Sequence, residues 1–218
     1  MYTQLTLFPP DLEEVLSSTN AVVLRDFVKS NDIEILNALQ SIIQISPYRH
    51  MITPRGYRMS VAMTNCGSFG WITDHNGYRY TTYDPETKQP WPSMPKIFYI
   101  MATTAAEKAG FTGFKPDVCL INLYEPGAKL SLHQDKDEQD FSAPIVSISL
   151  GVPATFLFGG VRRSDPVQKV LLSHGDIVVW GGAARLAYHG ILPVKEGIHP
   201  LVGGKRINLT FRKAKLAS

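Results

Sequence analysis

A chain of 218 residues with 44% hydrophobic content can bury a sizeable core and suits one large domain, or a domain with an appended cap. A net charge of +3 permits a polyanionic partner without demanding one. Cys66 and Cys119, far apart and outside any C-x-x-C spacing, exclude a disulfide scaffold and a cysteine-based metal knuckle; with no signal-peptide pattern and no apolar run of membrane-spanning length, a soluble cytoplasmic protein is expected.

Residues 1–20 read as a flexible N-terminal arm. Pro9 and Pro10 break any regular element there. Just before them, Gln4-Leu5-Thr6-Leu7-Phe8 is either a loose apolar segment resting on the body or a docking peptide. It resembles the pentapeptide with which bacterial repair and replication proteins bind the sliding clamp.

Residues 21–115 read as an N-terminal extension. A strand is expected over 21–27. Ser30 or Asn31 then caps a helix, with Glu34 completing a capping box. Ile35, Leu36, Leu39, Ile42 and Ile43 recur at helical spacing to about Ile45. The next stretch differs in character. From Tyr48 to Tyr80 it carries Arg49, Arg55, Arg58 and Arg79 against a single acid, Asp74, with Tyr57, Phe69, Trp71 and Tyr78 interleaved. Such a mixture suits a surface that stacks unpaired bases and holds phosphates, and equally an ordinary loop region with its rings packed inward. Met59, Val61 and Met63 alternate with polar or small residues as in a strand. The whole of 48–92 is expected to act as a lid. Four prolines between 85 and 95 exclude regular structure. A second helix follows, with Ser93 as its candidate cap, Ile97, Met101 and Ala105 on one face, and Gly110 just past its end.

From residue 116 to 213 the pattern becomes short strands separated by turn residues: 118–124, 129–135, 144–150, 154–158, 167–172, 176–180, 186–189 and 206–212. Eight strands in one domain is a jelly-roll count, flanked here by helices in a mainly β, α+β arrangement. Residues 214–218 read as a tail.

Within this core, His133-Gln134-Asp135 places an imidazole and a carboxylate two residues apart, on one side of an extended strand. His189 supplies a second imidazole. Two histidines and one carboxylate with open positions opposite is the ligand set of non-haem ferrous oxygenases, although H-x-D alone also occurs on ordinary surfaces. In the last strand Arg206, Asn208, Thr210 and Arg212 share a face, while Ile207, Leu209 and Phe211 share the other. In the first, Leu120, Asn122 and Tyr124 face one way and Cys119, Ile121 and Leu123 the other. Two arginines turned inward need anions, and few acids lie nearby in sequence. Their alpha carbons stand about 20 Å apart, so a short dicarboxylate held at both ends fits between their side chains. A solvent-facing strand with ordinary ion pairs is the alternative.

Together, Asn122-x-Tyr124-x-Pro126-Gly127, His133-x-Asp135, His189 and Arg206-x-Asn208-x-Thr210-x-Arg212 resemble the AlkB family of iron- and 2-oxoglutarate-dependent dioxygenases. The resemblance covers nearly the whole chain from about residue 21, including 60–67 and Trp71. It implies a double-stranded β-helix (jelly-roll) core with a nucleotide-recognition lid, and Fe(II) held by His133, Asp135 and His189. It implies 2-oxoglutarate bound along Asn122, Leu123 and Tyr124 and along Arg206, Ile207, Asn208, Leu209, Thr210, Phe211 and Arg212. In that mapping Arg212 and Asn122 meet the carboxylate beside the keto group, and Arg206, with Tyr124 and Asn208, the distal one. Trp71 would stack a flipped base against His133. Tyr78, Arg79 and Tyr80 would touch the nucleotide backbone, Asp137 the exocyclic amine of the base, and Arg163 the substrate side. Without the resemblance, Asp137 reads as an exposed loop acid.

The implied activity is O2-dependent removal of methyl groups from bases such as 1-methyladenine and 3-methylcytosine in DNA, with RNA left open. Formaldehyde, succinate and CO2 would be released by a monomer. A base methylated on its pairing edge pairs poorly and is cheaper to extrude. Two other readings stand beside it: the same iron chemistry on a protein or small molecule, and a catalytically silent reader of damaged DNA.

Overall fold

The computed structural model describes residues 13–16 and 20–215. The clamp-like peptide at Gln4 to Phe8 lies outside the described residues. Thirteen strands and two α-helices follow in chain order among them. They are β1 (Glu13–Val15), β2 (Ala21–Leu24), α1 (Asp32–Ile45), β3 (Ala62–Gly67), β4 (Gly70–Asp74), β5 (Gly77–Thr81), α2 (Lys96–Lys108), β6 (Val118–Tyr124), β7 (Leu130–His133), β8 (Ile145–Gly151), β9 (Ala154–Phe158), β10 (Gln168–Leu172), β11 (Ile177–Trp180), β12 (His189–Ile191) and β13 (Arg206–Arg212).

The eight strands expected after residue 116 divide four and four. One sheet runs β10-β9-β12-β7. The other runs β1-β2-β11-β8-β13-β6-β3 and so draws strands from both sides of residue 116. This is the jelly roll, enlarged on one sheet by three earlier strands. β4 and β5 form a separate hairpin. Strict alternation in β13 builds the two sides of the larger sheet. Ile207, Leu209 and Phe211 join Ile35, Leu39, Phe98 and Ala102 in a core between that sheet and the helices. A second core, with Phe156, Phe158 and Trp180, lies between the two sheets.

Several local expectations are corrected. Glu13–Val15 pair with β2, so the arm is shorter than residues 1–20. β2 stops at Leu24 rather than 27 because the chain turns there, with Asp26 at φ 53°. Asn31 occupies the N-cap of α1 but its side chain makes no capping bond. Pro95, not Ser93, precedes α2, a position where its fixed φ suits helix entry. Residues 62–67 are a strand of the larger sheet, paired with β6, while β4 and β5 pair only with each other. The strand expected over 186–189 begins at His189, since the chain has only just left a 3-10 turn at Gly182–Ala184.

Candidate active site

His133 ends β7 and His189 begins β12, and the two residues are directly paired across the smaller sheet. Asp135 lies two residues past the strand end. One ligand atom from each of the three falls within 4.8 Å of the others. The imidazole Nε2 atoms of His133 and His189 each stand 3.7 Å from a different oxygen of Asp135. On the far side of each ring, Nδ1 donates to a backbone carbonyl, Ser131 at 2.9 Å and Ala187 at 3.0 Å. Those bonds fix the tautomer and leave both Nε2 lone pairs aimed at the shared point. Burial, and then the neighbouring His133, lowers His189 to about 4, which keeps it neutral at physiological pH. Burial alone would raise Asp135; Arg212 and the two histidines outweigh it and hold the carboxyl well below its usual range. Two imidazole nitrogens and an ionised carboxylate are a fit for a divalent transition metal.

The larger sheet forms the facing wall. Asn122, Tyr124, Arg206, Asn208, Thr210 and Arg212 line the same cavity of about 670 Å³, which has room for a small co-substrate and a nucleobase together. Arg206 is only 1% exposed. Its Nη2 donates to Ser149 Oγ at 3.0 Å and its guanidinium lies 5.1 Å from the centre of the Tyr124 ring. Nε and Nη1 have no partner among the described residues. Burial pushes Tyr124 up to about 12, so it remains a neutral phenol beside this cation. A buried guanidinium with two idle donors is what a carboxylate ligand would complete.

Arg212 differs. The sequence suggested that its anion would be a ligand; instead Arg212 donates to Asp135 Oδ2 at 2.6 and 2.8 Å, with Glu138 3.6 Å from its Nε. Glu138 is the centre of a group that sequence reasoning missed. It takes 3.0 Å contact from Arg185, and the Tyr80 hydroxyl donates to it at 2.5 Å. Arg185 also donates to the Asp135 backbone carbonyl at 2.8 Å. In sequence Glu138 is one more acid in the run Asp135-Lys136-Asp137-Glu138, with no signal of burial.

Of the residues implied for 2-oxoglutarate, Leu123, Ile207, Leu209 and Phe211 do not reach the cavity. Alternation turns their side chains into the helix-side core. At the mouth, Trp71 and Tyr78 stack with centroids 5.7 Å apart at 18°, and both line the cavity with His133 and Asp137. The Trp71 indole N–H donates to Asp137 at 2.8 Å. Arg163 donates to the Leu132 carbonyl at 2.9 Å and covers the Tyr188 ring. Arg79 and Tyr80 sit apart from this mouth. Asp74 clamps Arg79 at 2.6 and 2.8 Å, and Tyr80 spends its hydroxyl on Glu138.

The model of the 2OG-Fe(II) oxygenase superfamily matches residues 20–212. The alpha-ketoglutarate-dependent dioxygenase AlkB of Salmonella typhimurium is 60% identical over 194 residues, 89% of this chain and 90% of that protein. The protein of the same name from Escherichia coli is 55% identical over 197 residues, 90% and 91% of the respective chains. The solved structure of OsALKBH1 superposes with a TM-score of 0.80 at 30% identity, over 92% of this chain and 99% of that one.

Proposed function

The chain belongs to the AlkB branch of the 2OG-Fe(II) oxygenase superfamily, and from that premise we propose that it oxidatively demethylates alkylated bases in nucleic acid, with 1-methyladenine and 3-methylcytosine in DNA as its substrates. The observation that carries this reading is one cavity with three walls. It holds a two-histidine, one-carboxylate donor set, a buried arginine with two donors unpartnered among the described residues, and a stacked aromatic pair at its mouth.

His133, Asp135 and His189 would hold ferrous iron. When bound, iron and 2-oxoglutarate supply the oxidation of an N-methyl C–H bond by dioxygen, giving succinate, CO2 and formaldehyde. The protein does the rest by placement. Arg206 offers Nε and Nη1 to the distal carboxylate, with Tyr124 a neutral phenol alongside. Asn122 donates its amide N–H to Asn208 Oδ1 at 3.3 Å, and Asn208 is held in place by Ser147 at 2.7 Å and Thr210 at 2.8 Å. Arg212, already paired with Asp135, keeps that carboxylate ionised and would offer its remaining donors to the carboxylate beside the keto group.

Trp71 and Tyr78 make the stacking wall for an extruded base, opposite the partly exposed His133. Asp137, oriented by the Trp71 N–H, offers its carboxylate to an exocyclic amine. A cationic methylated base is favoured there over its neutral parent. Arg163 would sit on the substrate side. We place the protein in the cytoplasm as a monomer, with Gln4 to Phe8 docking on a sliding clamp; deleting residues 1–9 should abolish clamp binding and spare turnover.

The test is anaerobic addition of iron(II) and 2-oxoglutarate, followed for the weak visible band of the chelate, then a formaldehyde assay on a 1-methyladenine oligonucleotide. Band and formaldehyde together, both lost in His133→Ala, are expected. Formaldehyde release that survives His133→Ala would overturn the metal assignment, and turnover of the free nucleoside as fast as the oligonucleotide would overturn the substrate.

A further inference from the structure

The β4–β5 hairpin carries more aromatic surface than one extruded base uses. Register pairs Trp71 with Tyr80 and Thr73 with Tyr78, and directly opposed residues in an antiparallel pair share a face. Tyr78, Trp71 and Tyr80 therefore form a row along one face of the hairpin. The row does not end at Tyr80. Tyr80 also lines a second, shallow recess, whose other walls are Phe69, Thr81, Thr82, Tyr83 and Lys215. Tyr83 is 58% exposed there. The Lys215 ammonium stands over the Phe69 ring at 5.2 Å and has no carboxylate partner among the described residues. The recess lies further along the hairpin face that carries Trp71 and Tyr78 at the cleft, and Tyr80 at its edge holds its hydroxyl on Glu138.

The hairpin is also firmly seated at this end. The Trp91 indole donates to the Thr81 carbonyl at 3.0 Å, and a Cβ on Gly70 would fall 2.2 Å from the Trp91 ring. Recess and cleft walls are thereby fixed to one support. The exposed Tyr83 ring, the half-buried Phe69 and Tyr80 rings and an ammonium with no carboxylate partner among the described residues match one ligand chemistry, a flat π-face joined to a phosphate.

We propose that this recess is a second stacking site, which takes an unpaired base flanking the reacting one in the same strand while Lys215 meets its phosphate. The inference rests on the nucleic-acid reading above. It predicts that the protein gains affinity when the strand is long enough to reach past Tyr80, and that the gain belongs to Tyr83, Phe69 and Lys215 rather than to the metal site. The occupant is a base without sequence preference, because every base offers a π-face.

Binding and turnover are measured separately so that the two readings fail separately. Fluorescence anisotropy compares a methylated mononucleotide, which has no flanking base, with a methylated strand of about a dozen nucleotides. Tyr83→Ala should weaken the longer strand about tenfold, or ~1.4 kcal/mol, and leave the mononucleotide unchanged. Tyr83→Trp should restore it. Lys215→Gln should flatten the salt dependence of the longer strand by about 0.7 in log–log slope. An abasic position at the flanking nucleotide should reproduce the Tyr83→Ala loss and show no further loss when combined with it. A length-dependent gain that survives these changes, or equal losses for both lengths, overturns the second site. Absence of formaldehyde from the longer strand overturns the demethylase reading, while the binding comparison still decides the recess.

Discussion

Two buried arginines beside the cavity should respond to removal in opposite ways. Arg206 holds its charge in the interior with no anion beside it among the described residues, and burial lowers its pKa. That charge costs the ligand-free protein stability. Arg206→Gln is therefore expected to leave the melting temperature of the ligand-free protein unchanged or raised, while KM for 2-oxoglutarate rises about a hundredfold with the loss of its charge-assisted bonds. A thermal melt and a co-substrate titration check the two halves. Arg185 is the contrary case, paired with Glu138 where both side chains are almost wholly buried. Arg185→Met leaves that carboxylate with the Tyr80 hydroxyl and Arg212 at 3.6 Å but without its closest cation, and should lower stability in urea by about 3 kcal/mol. The pair of arginines also marks what was legible. Arg206 could be read from alternation and from the scarcity of nearby acids. The same reasoning did not show that Arg212 also meets Asp135 and Glu138, acids that arrive from far along the chain. Burial of Glu138 depends on Arg185 and Tyr80 meeting it, and neither distance is written locally.

Among the elements, the hairpin depends on a polar clip behind it. The carboxylate of Asp84 accepts from Ser46 Oγ and Arg49 Nη2, both at 2.6 Å, from Arg49 Nη1, and from the Glu86 backbone N–H at 2.9 Å. It ties the chain after β5 to the end of α1, and Arg49 lies over the Trp91 ring that supports the hairpin. Burial alone would raise Asp84, but Arg49, Ser46 and the Glu86 amide outweigh it and bring it to about 2. A carboxyl whose folded pKa is depressed stabilises fully above its unfolded value. That stability is lost as protons bind the folded form. Acid titration of unfolding should therefore show about 2 kcal/mol disappearing between about pH 4 and pH 2, and Asp84→Asn should flatten the profile in that window. An unchanged profile would mean the clip contributes nothing. Strands were legible wherever alternation ran for several residues, as in β6 and β13. β12 was misplaced because its three residues, His189–Ile191, are too few to show a period. Alternation around Met59, Val61 and Met63 signalled the strand found at Ala62–Gly67, but its place beside β6 in the larger sheet was not legible, because pairing is not visible in a single strand's pattern.

In the whole molecule, the site exists only because two sheets face each other. His133 and His189 ride on the smaller sheet, and Asn122, Arg206 and Asn208 on the larger. The count of eight strands was legible from turn spacing. Their order was not, since β11 lies between β2 and β8, and β13 between β8 and β6. The division of labour between sheets makes a thermodynamic prediction. Anaerobic iron(II) and 2-oxoglutarate, each near a hundredfold above its Kd, should each add about 2.7 kcal/mol, and together move Tm by about 10–20 °C in a domain of this size. His133→Ala should lose both increments, because the keto acid needs the metal to chelate. Arg206→Gln should keep the metal increment and lose most of that from 2-oxoglutarate, because its wall holds the anion alone. If instead Arg206→Gln weakened the metal increment as much as the co-substrate increment, the two walls would be acting as one unit, and the separate assignment of cation and anion to the two sheets would be wrong.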